Sequence, residues 1–271
     1  MCEKADKLYT HTLMLGRFRD AAARASKALL DGPSFHALPT RLPIIGFGAA
    51  DLKRWDLQTD AAIGGYSECS LDSLTPSTAL WSGSTALESD PIRQQQVARS
   101  EQNKVASKTG FVAMRADISG TSDLHEFHGL CIRMRPDQRT YVVNLRPEGV
   151  LGEFRQDDLY QAVINPWLQH ARRVQEVDGE LDDYLDVRIP WGAFTLTWRG
   201  HVQGKRPPAM NLAKLTHIGV LLADKTAGSF SAGMGEFAAF RYGDEELTRD
   251  QHARDMLQLN VETGYEDIMS G

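Results

Sequence analysis

The sequence predicts an all-β fold, an antiparallel β-sandwich of the jelly-roll kind, with an amphipathic helix before it and a partly helical tail behind it. Three observations support this. From about residue 43 onward, apolar residues recur at every second position in short runs, not at helical spacing. Turn formers, 23 Gly and 11 Pro among 271 residues, interrupt those runs at close intervals. Helical periodicity is strong only ahead of the first run.

That leading unit is residues 1–42. Leu15, Phe18, Ala22, Ala25 and Leu29 follow one another at steps of three and four and form one helical face. Arg17, Arg24 and Lys27 lie off it, and Gly32-Pro33 ends it. A basic amphipathic helix suits a mitochondrial presequence, but Glu3, Asp6, Asp20 and Asp31 are more acids than such segments carry. Two other readings stand beside it. One is a retained helix that docks on a partner or a membrane surface, with Leu15 and Phe18 as contacts. The other is a helix packed on its own domain.

The predicted sandwich is residues 43–243. Its runs, in order, are Ile44–Phe47, Gly65–Leu71, Thr78–Gly83, Gly110–Arg115, Leu130–Arg135, Tyr141–Arg146, Leu185–Ile189, His217–Leu222 and Phe230–Tyr242. In the fifth, Leu130, Ile132 and Met134 alternate with Cys131, Arg133 and Arg135. In the sixth, Tyr141, Val143 and Leu145 alternate with Val142, Asn144 and Arg146. Between them, Pro136-Asp137-Gln138-Arg139 has the composition of a hairpin turn. About nine strands are therefore expected. Residues 84–107 read as an exposed polar insertion, residues 200–212 as a loop, and residues 244–271 as a tail opening on an Asp244 helix cap.

Composition excludes several classes. Thirty Lys and Arg against 36 Asp and Glu give a net charge of −6, which leaves no overall basic footprint for nucleic acid. No run of about 18 apolar residues is present to span a bilayer as a helix. Cys2, Cys69 and Cys131 are too few for a disulfide framework or a cysteine zinc site. The search for catalytic chemistry is negative. Phosphate-cradling and dinucleotide glycine motifs are missing. In His125-Glu126-Phe127-His128 the histidines are three apart, not the four a zinc-binding helix needs. Ser107, Ser119 and Ser122 lack a nucleophile-elbow context. The pairs Asp157-Asp158 and Asp182-Asp183 read as solvated turns. No catalytic residue, cofactor or metal is expected.

Several segments, taken in order, resemble one known family. Asp60-Ala61-Ala62-Ile63-Gly64-Gly65-Tyr66-Ser67 looks like an Asp-x-x-Ile-Gly-Gly-x-Ser opening. Gly110–Arg115 follows, then Phe127–Arg135 ahead of Asp137–Arg146, then Val187-Arg188-Ile189-Pro190 with Phe194, then Arg199-Gly200. His217-Ile218-Gly219-Val220, Asp224-Lys225 and Gly228-Ser229-Phe230 complete the set. This order resembles the complex I intermediate-associated protein 30 family. Ser229 stands where the family often has Pro, and Trp191 where it usually has Phe. The resemblance implies a galactose-binding-like jelly roll without catalytic residues. It implies a mitochondrial, matrix-side assembly factor of respiratory complex I, or an accessory subunit retained in it. Its partners would be complex I subunits or membrane-arm assembly intermediates, with peripheral contact to the inner membrane and no nucleic acid.

If the fifth and sixth runs pair as a hairpin, Arg133, Arg135 and Arg146 form a basic stripe able to meet carboxylates or phosphates of a partner. With Leu15 and Phe18 these are the candidate partner-binding residues. The alternative function is a carbohydrate-binding β-sandwich module. That alternative expects aromatic side chains from the set Trp55, Trp81, Trp167, Trp191 and Trp198 exposed together on one face or rim.

Overall fold

The computed structural model describes residues 39–91, 109–148, 158–168, 183–198, 201–203 and 209–242. The expected N-terminal helix, the greater part of the 84–107 insertion and the tail from Asp244 lie outside the described residues. Two sheets form the body. Their strands are β1 (Arg41–Gly46), β2 (Trp55–Thr59), β3 (Glu68–Thr75), β4 (Thr78–Thr85), β5 (Val112–Asp117), β6 (Gly129–Arg135) and β7 (Tyr141–Pro147). They continue with β8 (Asp158–Ile164), β9 (Leu185–Pro190), β10 (Thr195–Trp198), β11 (His201–Val202), β12 (Leu215–Leu222) and β13 (Gly228–Phe240). A one-turn helix, α1, spans Ala49–Leu52. The first sheet runs β3-β4-β13-β6-β9, with β1 also on β13, and the second runs β11-β10-β8-β7-β12-β5-β2. Every pairing is antiparallel.

All nine expected runs fall on strands, and four further strands, β2, β8, β10 and β11, were not foreseen. They are short or rich in polar residues. In β8 the outward Gln161 is buried because its amide donates to Asn144 Oδ1 at 2.7 Å and its carbonyl accepts from Thr197 Oγ1 at 2.7 Å. A ladder of polar side chains across β7, β8 and β10 thus replaces the apolar alternation that marks a strand. His201 and Val202, read as loop, pair with Trp198 and Thr197, and Asp158, read as a turn, is the first residue of β8.

The sixth run is the larger correction. β6 and β7 do not form a hairpin: β6 lies between β13 and β9, and β7 lies between β12 and β8 in the opposite sheet. Leu130, Ile132 and Met134 therefore face Tyr141, Val143 and Leu145 across the core, and all six are buried. Asp137 fixes the crossing. Its carboxylate accepts from Arg139 N at 3.0 Å, Tyr141 Oη at 2.8 Å and Ser231 N on β13 at 2.8 Å. A hairpin turn has no reason to hold strand β13 in this way.

Aromatic contacts join the sheets. Trp81, fully buried on β4, meets Phe230 edge-on at 5.1 Å and Tyr141 at 5.8 Å. Phe47 stacks on Trp55 at 4.9 Å, and both pack on Phe237. Each such ring contributes about 1.5–3 kcal/mol by leaving water.

At one end of the sandwich the chain buries a carboxylate. Asp60, fully buried, follows β2 and opens a short 3-10 turn over Asp60–Ile63. Its Oδ1 accepts from Ser67 N at 2.9 Å, and its Oδ2 accepts from Ser67 Oγ at 2.8 Å and Gly110 N at 2.5 Å. Ser67 Oγ in turn accepts from Ala86 N at 3.0 Å. A side chain on Gly65 would stand 2.1 Å from Asp60 Cγ, so only glycine fits there. Asp60→Ala leaves three donors unpaired in the interior and is expected to destabilise the fold by about 3 kcal/mol or more. The urea midpoint checks it. Asp60→Asn, which keeps the shape but cannot accept at both oxygens, is expected to fall between the two.

Candidate interaction surfaces

The remaining segments that resemble the family also meet in the interior. Arg139, 8% exposed, holds Asp224 in a two-pronged pair, Nε to Oδ2 at 2.7 Å and Nη2 to Oδ1 at 2.8 Å. Its other hydrogens go to Thr85 Oγ1 at 2.9 Å and to the carbonyls of Thr226 at 2.6 Å, Ser229 at 3.2 Å and Gly228 at 3.4 Å. Thr85 Oγ1 donates to Thr226 O at 2.7 Å, and Thr226 N donates to Asp224 Oδ1 at 3.1 Å. Its hydrogen bonds to Asp224 hold the guanidinium pKa above its ordinary value. Burial, and Asp137 beside it, raise that of the Tyr141 hydroxyl. The group joins the β6–β7 crossing to the β12–β13 loop, where Lys225 takes φ +58° and Gly228 φ +126°. With its hydrogens satisfied by protein, Arg139 is a clamp and not a free anion receptor.

The three surface arginines separate. Arg133 and Arg135 point outward from the first sheet and Arg146 outward from the second, so they make no common stripe. The side chain of Arg133 lies over the Tyr184 ring at 6.0 Å and 3.9 Å from Asp186. Asp186 also accepts from Arg41 at 2.8 Å, and Arg41 donates to Glu236 at 2.8 Å. This face is an ion-pair network of balanced sign, each pair worth little where exposed. Arg135 and Arg146 have no ion-pair partner among the described residues. The Nε of Arg146 is buried with no hydrogen-bond acceptor. Opposite Arg146 on β12 stands His217, and Asp117 on β5 faces it from the other side. Partial burial, then Arg115 and Arg146, depress the imidazole pKa below 6.5, with Asp117 opposing. Leu15 and Phe18 lie outside the described residues.

The other side chains singled out in the sequence have local roles. His125 faces Asp123 Oδ1 at 2.6 Å, and His128 Nδ1 accepts from Tyr242 N at 3.2 Å. No cluster of three metal-ligating side chains occurs among the described residues. Burial pushes the Cys131 thiol up to about 12 and raises that of the half-buried Cys69. Trp55 and Trp81 are core residues, and Trp191 donates its indole hydrogen to Phe127 O at 2.8 Å. The exposed rings among the described residues are Tyr66, between the 3-10 turn and β3, and Trp167, after β8. Tyr66 precedes a strand of the first sheet and Trp167 follows a strand of the second.

A shallow cleft of about 260 Å³ lies beside β1 and the loop after β5. It is lined by Pro43, Arg54, Ser119 and Ser122 among others, and Arg54 is already held by Asp117 O at 2.7 Å. No helix among the described residues is long and apolar enough to cross a membrane.

These features define a two-sheet antiparallel β-sandwich domain whose polar motifs are interior clamps. Residues 45–234, from β1 into β13, match the model of the family described as complex I intermediate-associated protein 30. The chain belongs to that family. It is 25% identical over 222 residues to the mitochondrial complex I intermediate-associated protein 30 of Drosophila melanogaster, covering 79% of this chain and 67% of that one. It is 28% identical over 185 residues to the mouse (Mus musculus) protein of that name, covering 66% of this chain and 50% of that one. The matched region thus spans one half to two thirds of these relatives. Among solved structures, the family 11 carbohydrate-binding module of Clostridium thermocellum, in complex with a mixed-linked tetrasaccharide, aligns with a TM-score of 0.44 at 10% identity. That alignment covers 74% of this chain and 98% of that one, a likeness too distant to bear on ligands.

Three outcomes follow from the geometry. Arg139→Lys removes the fork and is expected to cost about 2–3 kcal/mol by urea unfolding, with Arg139→Lys and Asp224→Asn strongly non-additive. By NMR titration, His217 is expected to change charge below 6.5, and Arg146→Gln to move it back toward that value. The folded state therefore disfavours the proton here, so the stability linked to His217 is full above pH 6.5 and declines as pH falls through its folded-state value. Mass-mapped thiol labelling at about pH 8 is expected to leave Cys131 unmodified until the protein is unfolded.

Proposed function

We propose that this chain is a protein-interaction module acting in the assembly of mitochondrial respiratory complex I, on the matrix side of the inner membrane. The observation that carries the reading is the family match, which runs through the sandwich from Ile45 to Met234. The relatives are named both for the complex I intermediate and for the mitochondrion. The geometry is in keeping with binding. The motif residues Asp60, Ser67, Arg139 and Asp224 stabilise the interior, and what they leave at the surface is strand edges and outward side chains. Rigid sandwiches present such surfaces to partners. Arg135 and Arg146 are the cations available to a partner's carboxylates, Arg133 contributes less because Asp186 and Tyr184 engage it, and Leu15 and Phe18 would add an apolar helix face. The partners in this reading are complex I subunits or membrane-arm assembly intermediates, and the module works without catalysis.

Native-gel fractionation of mitochondria from the source organism, with quantitative mass spectrometry, tests it. The chain is expected to migrate with sub-complexes of complex I. One copy per finished complex would identify a permanent accessory subunit, and substoichiometric migration confined to intermediates a transient factor. Absence from both pools would overturn the reading.

A further inference from the structure

Strand β3, Glu68–Thr75, ends the first sheet: β4 holds one side, and no strand pairs with the other among the described residues. Six of its eight residues are exposed. The other strands paired on one side only among the described residues differ. β1 carries Pro43 with a register shift beside it, β9 has four of six residues buried, β11 has two residues, and β2 is a five-residue strand anchored by buried Trp55. Sandwiches ordinarily protect a long edge with lysine, proline or a bulge near its centre, because its free N–H and C=O groups are a template for another chain. β3 has neither lysine nor proline, and its one register shift lies at its far end, between Ser73 and Thr75.

It carries acids instead. Cys69 and Leu71 turn toward the core, which places Glu68, Ser70 and Asp72 on the outer face. Ser70 Oγ donates to Asp72 at 2.8 Å, and neither carboxylate has a cationic partner among the described residues. Four residues of strand separate Glu68 from Asp72 by about 13 Å, the spacing of residues four apart on an opposing strand. A second copy is the wrong occupant. Antiparallel self-pairing about Ser70 sets Glu68 against Asp72 of the other copy, and like charges directly opposite destabilise a pair. The same carboxylates favour an incoming strand with lysine or arginine on that face.

We propose that β3 is a docking edge for an extended basic segment of a partner protein, which adds as a further strand with cations opposite Glu68 and Asp72. Main-chain hydrogen bonds give the affinity, and the two carboxylates select the partner and oppose self-association. The proposal holds for an interaction module whichever complex it serves, so its failure is separable from that of the complex I reading.

The test uses the full chain and an end-blocked, fluorescent eight-residue peptide alternating lysine and threonine. Saturable binding below about 1 mM is expected, with hydrogen-exchange protection confined to residues 68–75. Two changes should each weaken it by about ten-fold or more. One is Glu68→Lys with Asp72→Lys, at exposed positions that leave thermal stability unchanged. The other is N-methylation of alternate peptide amides, which removes main-chain donors without altering charge. Absence of saturation overturns the proposal, as does protection elsewhere on the chain. So does binding that charge reversal weakens but N-methylation does not, since that is attraction between surfaces without an added strand. Protection of β3 that grows with protein concentration alone would assign the edge to a second copy and equally overturn it.

Discussion

A carboxylate taken out of water must have its charge met, and among the described residues Asp60 meets it without a cation. Backbone and hydroxyl donors converge on it instead, from Ser67 and Gly110, and Ser67 passes the constraint on to Ala86. Those donors stand at the start of β3, just past the end of β4 and just before β5. One side chain therefore sets how the end of β2 in the second sheet meets the β3–β4 pair of the first. Gly65 has no alternative, because the carboxylate occupies the space a Cβ would need. An isolated buried charge is costly, and each donor that offsets the cost also fixes a loop. Arg139 performs the corresponding task elsewhere, where a buried cation gathers Asp224, Thr85 and three carbonyls into the second junction.

This explains what was legible beforehand. Alternation of period two reports only that a residue faces a core, so the nine apolar runs located nine strands. It says nothing about which neighbour a strand takes, and β6 and β7, adjacent in sequence and joined by good turn residues, lie in different sheets. The information that separates them is in Asp137 and Arg139, whose partners Ser231 and Asp224 lie 94 and 85 residues away. Strands β8 and β10 were hidden because Gln161 and Thr197 satisfy each other when buried, and a polar pair reads as loop in one dimension. The Asp-x-x-Ile-Gly-Gly-x-Ser segment was visible as a pattern, but nothing local shows that its carboxylate faces inward.

The candidate site was less legible than the fold. Arg133, Arg135 and Arg146 share a basic face only if their strands pair, and the crossing divides them. What sequence reading overlooked was an absence. In Glu68–Thr75 the missing signal is any lysine or proline on an edge, and edge position is known only once the strand order is known.

The distribution of charge ties these surfaces together. Arg41, Asp186, Glu236 and Arg133 neutralise one another on the outer face of the first sheet, so that cluster exerts little directional field. Among the described residues, the groups without such partners are Arg135 on the same sheet, the carboxylates on the β3 edge, and Arg146 on the opposite sheet, where its charge adds to burial and Arg115 in lowering the His217 pKa. Complementary charge sets orientation and encounter rate more than affinity. On the reading proposed here, a sandwich with acid at one edge and, on its far face, an arginine without an ion-pair partner among the described residues is oriented by its partners. A basic strand takes the edge, and an acidic surface takes Arg146.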